Sequence, residues 1–128
     1  MRVEDKAFVR WCHEHFGCLV AERGFGGCWG VLTFHHVRSC GSARDDRRGL
    51  MLCAGHHLHD GGRESLERMG RENWQAHFDI SIEAEVRRNQ VAYLESGHRF
   101  KVPLELAVAE RTACAVHEDL GAHLRMLT

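Results

Sequence analysis

No run in this chain is apolar for long enough to span a bilayer, which takes about 20 residues. Neither an internal repeat nor a low-complexity segment is present, so membrane-spanning and repeat architectures are not expected. Excess charge is missing as well: 17 Lys and Arg balance 18 Asp and Glu to a net −1, which argues against a uniformly basic nucleic-acid coat protein but leaves room for a local basic groove. The opening residues, Met1-Arg2-Val3-Glu4-Asp5-Lys6, hold no apolar core of the kind a secretory leader carries. Six cysteines without such a leader are expected as thiolates on zinc in a cytoplasmic protein, not as the disulfides of a secreted scaffold. At 128 residues and 44% apolar content the chain fits one globular domain whose modest core a structural metal would help to stabilise.

What the chain does have is punctuation and histidine. Phe8, Val9, Trp11 and Phe16 among polar neighbours predict a short amphipathic helix within residues 1–16. From Cys18 to Phe78 the chain is rich in Gly, His, Cys and Arg. Within that stretch Val31 to Val37 reads as a strand, Ser39 to Arg44 as a loop, and Gly49 to Leu52 as a second strand. A helix is expected from Cys53 or Ala54, interrupted by Gly61-Gly62, with a further helical stretch through Leu66, Met69 and Trp74 to Phe78. Ser81 caps a helix running to about Leu94, with Glu83 and Glu85 favourably placed in its first turn, and Ser96-Gly97 ends it. Beyond Pro103, apolar residues at 104, 108, 116, 120 and 124 suggest a last long helix. The expected organisation is a domain over residues 1–96, with its core at 18–78, and a C-terminal helical extension over 97–128.

Two His-His doublets carry the chemical signal. His35-His36 closes the first predicted strand, and Leu52-Cys53-Ala54-Gly55-His56-His57 opens the predicted helix. Residues three apart on a helix share a face, so Cys53 and His56 are expected to grip one ion, while His57, rotated by roughly 100°, addresses another place. A structural zinc wants four N or S ligands in a closed tetrahedron. Cys18 and Cys28, flanked by glycines, are the candidates for the remaining two, with Cys12 in reserve. Cys40 falls in the loop after the first strand, and Cys114 in the last helix reads as an inert buried thiol. His35 and His36, neighbours at a strand end, diverge and suit different tasks: one to bind a cation, the other to accept a proton.

The runs Phe34-His35-His36-Val37-Arg38, Asp45 through His57, and Gly70-Arg71-Glu72-Asn73-Trp74 together resemble the HNH endonucleases of the ββα-metal superfamily. Within that group they are similar to short phage and prophage HNH proteins related to the recombination-associated Ref nuclease, over roughly residues 11–94. The resemblance implies an α+β fold with a small zinc-stabilised ββα-metal core and flanking helices. It implies a divalent cation (Mg²⁺, Mn²⁺ or Zn²⁺) and hydrolysis of phosphodiester bonds in DNA, with a recombination or phage protein as a further partner. Family roles make His36 the general base and His35 a cation ligand beside His57. The chemistry agrees, since phosphodiester hydrolysis needs a proton acceptor near neutral pH and positive charge at the phosphoryl oxygens.

The chain departs from the family pattern in three places. The central Asn that orients the base is absent; Arg48 stands near its position, with Asp45 and Asp46 close by. The residue four after His57, often a His ligand, is Gly61. Either His59 or Asp60 substitutes, and Asp60 is the better placed if the helix persists, since it shares a face with His57. The third departure is the wide spacing of Cys18 and Cys28. Arg38, Arg44, Arg47 and Arg48 border the same loop as candidate phosphate contacts, against the simpler reading of a charged surface loop. Arg63, Arg68 and Arg71 alternate with Glu64, Glu67 and Glu72 as a solvated helix face, and Trp74 and Phe78 are expected to pack that helix on the core. The alternative to a nuclease is an inactive zinc-stabilised module that binds nucleic acid or protein.

Overall fold

A computed structural model describes residues 2–38, 42–58 and 60–104. Cys40, His59, Cys114 and the last predicted helix from residue 105 onward lie outside them. The order of elements is α1 Lys6–His15, α2 Leu19–Glu22, β1 Leu32–His36, β2 Gly49–Cys53, α3 Ala54–His57, α4 Leu66–Met69, α5 Arg71–Phe78 and α6 Ile82–Glu95. The protein is therefore mixed α+β around one two-stranded sheet. Among the described residues no helix is long and apolar enough to cross a membrane.

β1 and β2 pair antiparallel, with Leu32 opposite Cys53, Phe34 opposite Met51 and His36 opposite Gly49. Side chains alternate across a strand, so this register assigns each residue a face. Phe34 and Met51 turn toward α1, where Phe8, Trp11, Cys12 and Tyr93 form one apolar cluster. Leu50 and Leu52 turn the other way into a second cluster with Val20, Leu66, Trp74, Phe78, Ile82 and Val86. Burial on both faces explains why Gly49–Cys53 reads as a continuous apolar run without alternation. Gly49 is required there, because a Cβ would lie 2.0 Å from the Phe34 ring.

Caps set the helix ends. The Asp5 carboxylate accepts from the Phe8 N–H at 3.2 Å to start α1, a cap not among the sequence expectations, and Ser81 Oγ accepts from Ala84 N–H at 3.2 Å to start α6, the cap that the sequence predicts. Two expectations fail. The helix after Cys53 makes only one turn and ends at His57, because Leu58 is already extended (ψ 148). The stretch from Leu66 to Phe78 is two helices, broken where Gly70 takes φ 81 and ψ 155, a conformation that glycine adopts without strain. Trp74 is wholly buried as expected, yet its indole Nε1 finds no hydrogen-bond partner.

α6 closes the second cluster and ties itself to the hairpin through Asn89 Nδ2 donating to Gly49 O at 3.1 Å and Gln90 Nε2 to Arg47 O at 2.8 Å. Residues past Ser96 stay on this core. Phe100 packs on Phe8 with ring centroids 4.9 Å apart, and Lys101 N–H donates to Asp5 Oδ2 at 3.0 Å.

Candidate functional site

Four predicted ligands come together at the corner where β2 passes into α3. The ligand atoms of Cys18, Cys28, Cys53 and His56 all lie within 4.8 Å of one another. Cys53 is the last residue of β2 and the N-cap of α3, so it and His56 meet across a strand-to-helix corner and not along one helix face. Cys18 stands at the start of α2, and Cys28 comes from the glycine-rich loop that follows. Gly27, at φ 84, lets that loop turn beside His56. His56 Nδ1 is 3.2 Å from Cys53 Sγ, 3.5 Å from Cys28 Sγ and 3.8 Å from Cys18 Sγ. Tetrahedral zinc, with bonds of about 2.3 Å to sulfur and about 2.0 Å to nitrogen, places such S and N atoms ~3.5 Å apart. The observed distances bracket that value.

The donor set also fits. Three thiols and an imidazole are a structural zinc set, and His56 is kept neutral because burial holds its pKa below the ordinary value against the opposing Glu64 charge and the Gly26 carbonyl. A hydrogen bond to that backbone carbonyl is the support that orients a ligating histidine. Burial opposes ionisation of Cys53, but backbone hydrogen bonds at Trp29 and His56 and the neighbouring thiols hold it below the usual thiol range. Desolvation and the adjacent Cys18 and Cys53 push Cys28 up to about 12. These four residues are thus positioned to bind a metal ion. Cys12, the reserve, is buried in the α1 cluster, where desolvation raises its thiol to about 12.

His57 points elsewhere, as its offset from His56 requires. Thr33 Oγ1 donates to Leu52 O at 2.7 Å, so toward His57 Nδ1, 2.6 Å away, it acts as acceptor. Nδ1 therefore carries the ring proton and Nε2 presents a lone pair. His35 Nδ1 lies 3.1 Å from that Nε2. The contact is either one N–H···N hydrogen bond or, with the His35 proton on its other nitrogen, two lone pairs converging on one cation position. Burial, then the charges of His57, His36 and Arg71, lower His35 to about 4, and burial lowers His57 too. Both rings are accordingly in the neutral, metal-ligating form near pH 7. Glu67 Oε2 is 3.7 Å from His57 Nε2.

Asp60 does not occupy the position its spacing implies. With α3 finished at His57, residue 60 sits in an exposed turn, off any helical face shared with His57. The sequence instead assigns Glu67 to a solvated face, and no local spacing links it to His57. Position 61 has no room for a family-type histidine either, since a Cβ on Gly61 would lie 2.2 Å from the Ala54 carbonyl oxygen.

His36 faces the opposite side of the hairpin from His35, stacked edge-on against Phe34 with centroids 5.0 Å apart. Its Nε2 is 2.8 Å from Asp46 Oδ1, and the side chain is 25% exposed. An Nε2–H donated to the carboxylate leaves Nδ1 as the free proton acceptor. Asp46, a carboxylate just ahead of the second strand, was legible only as a neighbour of the missing Asn.

The four arginines separate. Arg38 is exposed and Arg44 half-buried. Arg47 is 1% exposed; it forms a bidentate pair with Asp45, both bonds 2.9 Å, and donates to the Val102 and Pro103 carbonyls at 2.8 and 3.1 Å. A guanidinium so committed is a bolt inside the fold, which corrects its assignment as a phosphate contact. Arg48 pairs with Glu83, as does Arg71 at 3.0 Å, and this holds Glu83 ionised below its ordinary range despite burial. No family model, curated protein or solved structure matches this chain.

Proposed function

We propose that this protein is a zinc-stabilised, metal-dependent endonuclease of HNH type that hydrolyses phosphodiester bonds in DNA. The observation that carries the reading is the division between consecutive residues of one strand: His35 Nδ1 lies 3.1 Å from His57 Nε2 on one face, while His36 Nε2 lies 2.8 Å from Asp46 Oδ1 on the other. His36 Nδ1 takes the proton of the attacking water. Asp46 fixes the tautomer and stabilises the imidazolium, the role expected of the absent Asn. His35, His57 and Glu67 would hold a divalent cation, which supplies positive charge at the phosphoryl oxygens and leaving group. Arg38 and Arg44 remain as phosphate contacts.

A second reading has its own support. Among the described residues, the Cys18, Cys28, Cys53 and His56 group is the one closed cluster of three or more metal ligands, and His36 lies on the far face of the hairpin from His57. A zinc-stabilised binding module without catalysis would keep that much. The test is cleavage of single- and double-stranded DNA with Mg²⁺ or Mn²⁺, with and without chelator. Chelator-sensitive cutting abolished by His36→Ala, with zinc content and melting unchanged, supports the nuclease. Folded, zinc-loaded protein that cuts neither substrate supports the module.

A further inference from the structure

His36 opens into a cleft rich in cationic side chains. It is lined by Arg2, Lys6, Arg10, His13 and Arg44 around the His36–Asp46 pair, with Glu4 as the other carboxylate. In a chain of net charge −1, four permanent cations against two carboxylates form a local basic surface. The fold builds it deliberately. Val3 N–H donates to Arg44 O and Asp46 N–H to Val3 O, both at 3.0 Å, so the N-terminal segment lies along the loop that carries Arg44. Asp46 Oδ2 then accepts the Asp5 N–H at 2.8 Å, which starts α1 beside His36. Lys6, Arg10 and His13 follow at helical spacing and share one exposed face of α1.

Two features separate this face from an ordinary solvated one. Lys6 and Arg10 have no carboxylate partner among the described residues, whereas Arg2 in the same cleft pairs with Glu4 at 3.5 Å, and Arg23, Arg47, Arg48, Arg71 and Arg88 elsewhere are all ion-paired. Lys6 also stands at the first position of α1, and that first turn contains no acidic residue. A cation there opposes the helix dipole, which the Asp5 carboxylate at the N-cap is left to counter.

We infer that the α1 face formed by Lys6, Arg10 and His13, continued by Arg2 and Arg44, is a track for the phosphate backbone of a nucleic acid that delivers the strand to His36. The inference rests on the nucleic-acid reading above and adds the surface that binds the substrate. Spaced point charges, with Val9 as the one aliphatic side chain and no aromatic ring in the lining to stack on a base, suit a repeating phosphate chain and predict binding without sequence preference.

Fluorescence anisotropy of zinc-loaded protein with a short fluorescein-labelled DNA duplex, without added Mg²⁺ or Mn²⁺, reads binding apart from cleavage. Lys6→Gln/Arg10→Gln should lower the slope of log K against log salt by about 2. Lys6→Glu/Arg10→Glu should weaken binding more than ~10-fold at low salt. Arg87→Gln, an exposed cation on α6 outside the cleft, should leave binding unchanged. All these sites are exposed, and equal melting temperatures check the fold. Equal affinity of the double variants and the parent protein overturns the track, as does binding to phosphatidylserine vesicles but not to DNA. If the parent cuts DNA and the double variants bind normally, the track falls and the nuclease stands. Track-dependent binding without cleavage keeps the track and removes the nuclease.

Discussion

Asp46 joins His36 to the start of α1: Oδ1 lies 2.8 Å from the imidazole Nε2, and Oδ2 accepts the Asp5 N–H at 2.8 Å. One buried carboxylate thus orients the proposed base and anchors the element that brings cations to it. Asp46→Ala should cut cleavage and also lower stability by about 1–3 kcal/mol, because it orphans the buried Asp5 N–H. Asp46→Asn keeps an acceptor on one side only: with its oxygen on the Asp5 N–H, its NH2 faces His36 Nε2, so it should lose activity with a smaller fall in stability. Equal activity of both variants and the parent, in cleavage assays paired with thermal melts, would show that His36 needs no orienting partner.

Arg47 and Arg38 are alike in sequence and opposite in structure. Arg47→Gln should destabilise by about 3–5 kcal/mol, since it removes the guanidinium from a buried, bidentate ion pair. Arg38→Gln, at an exposed position, should change stability by less than ~0.5 kcal/mol. Urea titrations of the two variants decide it. Similar midpoints would mean that the Asp45 pair contributes nothing net to the fold.

This contrast shows where the sequence is legible. Local chemistry was readable: the Ser81 cap, the Ser96-Gly97 stop, two strands, and a Cys3His set whose members bear the residue types zinc selects. What escaped were pairings set by tertiary packing. Nothing adjacent to Arg47 announces that residues 102 and 103 will lay their carbonyls on it. Glu67 reaches His57 only because α3 stops after one turn and the chain folds back, and a helix read from periodicity alone runs on to Asp60. The break at Gly70 needed its positive φ, which a single glycine letter does not specify.

The cysteines divide by site. Cys53→Ser should release about one equivalent of zinc and lower the melting temperature sharply, since metal binding energy is folding energy. Cys12→Ala should retain zinc, because Cys12 belongs to the Phe8 cluster. Its effect should instead appear in alkali. Burial raises the Cys12 thiol from 9.0 to about 12, so the unfolded chain ionises first as pH rises above 9. That contribution to stability is complete below pH 9 and is lost at up to about 1.4 kcal/mol per pH unit between 9 and 12. The gap between parent and Cys12→Ala stabilities should therefore narrow over that window. A gap that stays constant from pH 8 to 11 would place Cys12 in contact with water.

The proposed cation position beside His57 separates the geometry from the sequence pattern most sharply. Glu67 Oε2 stands 3.7 Å from His57 Nε2, and Asp60 sits in the turn beyond a finished helix. In a Mn²⁺ titration of zinc-loaded protein followed by electron paramagnetic resonance, Glu67→Gln should weaken binding by more than ~10-fold. Asp60→Asn should weaken it less. Thr33→Val makes the same site answer differently. It removes the acceptor that keeps the His57 proton on Nδ1, freeing the ring to present the wrong nitrogen, and losing such a supporting hydrogen bond costs about 10–100-fold in metal affinity. A Thr33→Val protein that binds Mn²⁺ like the parent, beside an Asp60→Asn protein that does not, would move the cation off the His35–His57 pair and onto the turn.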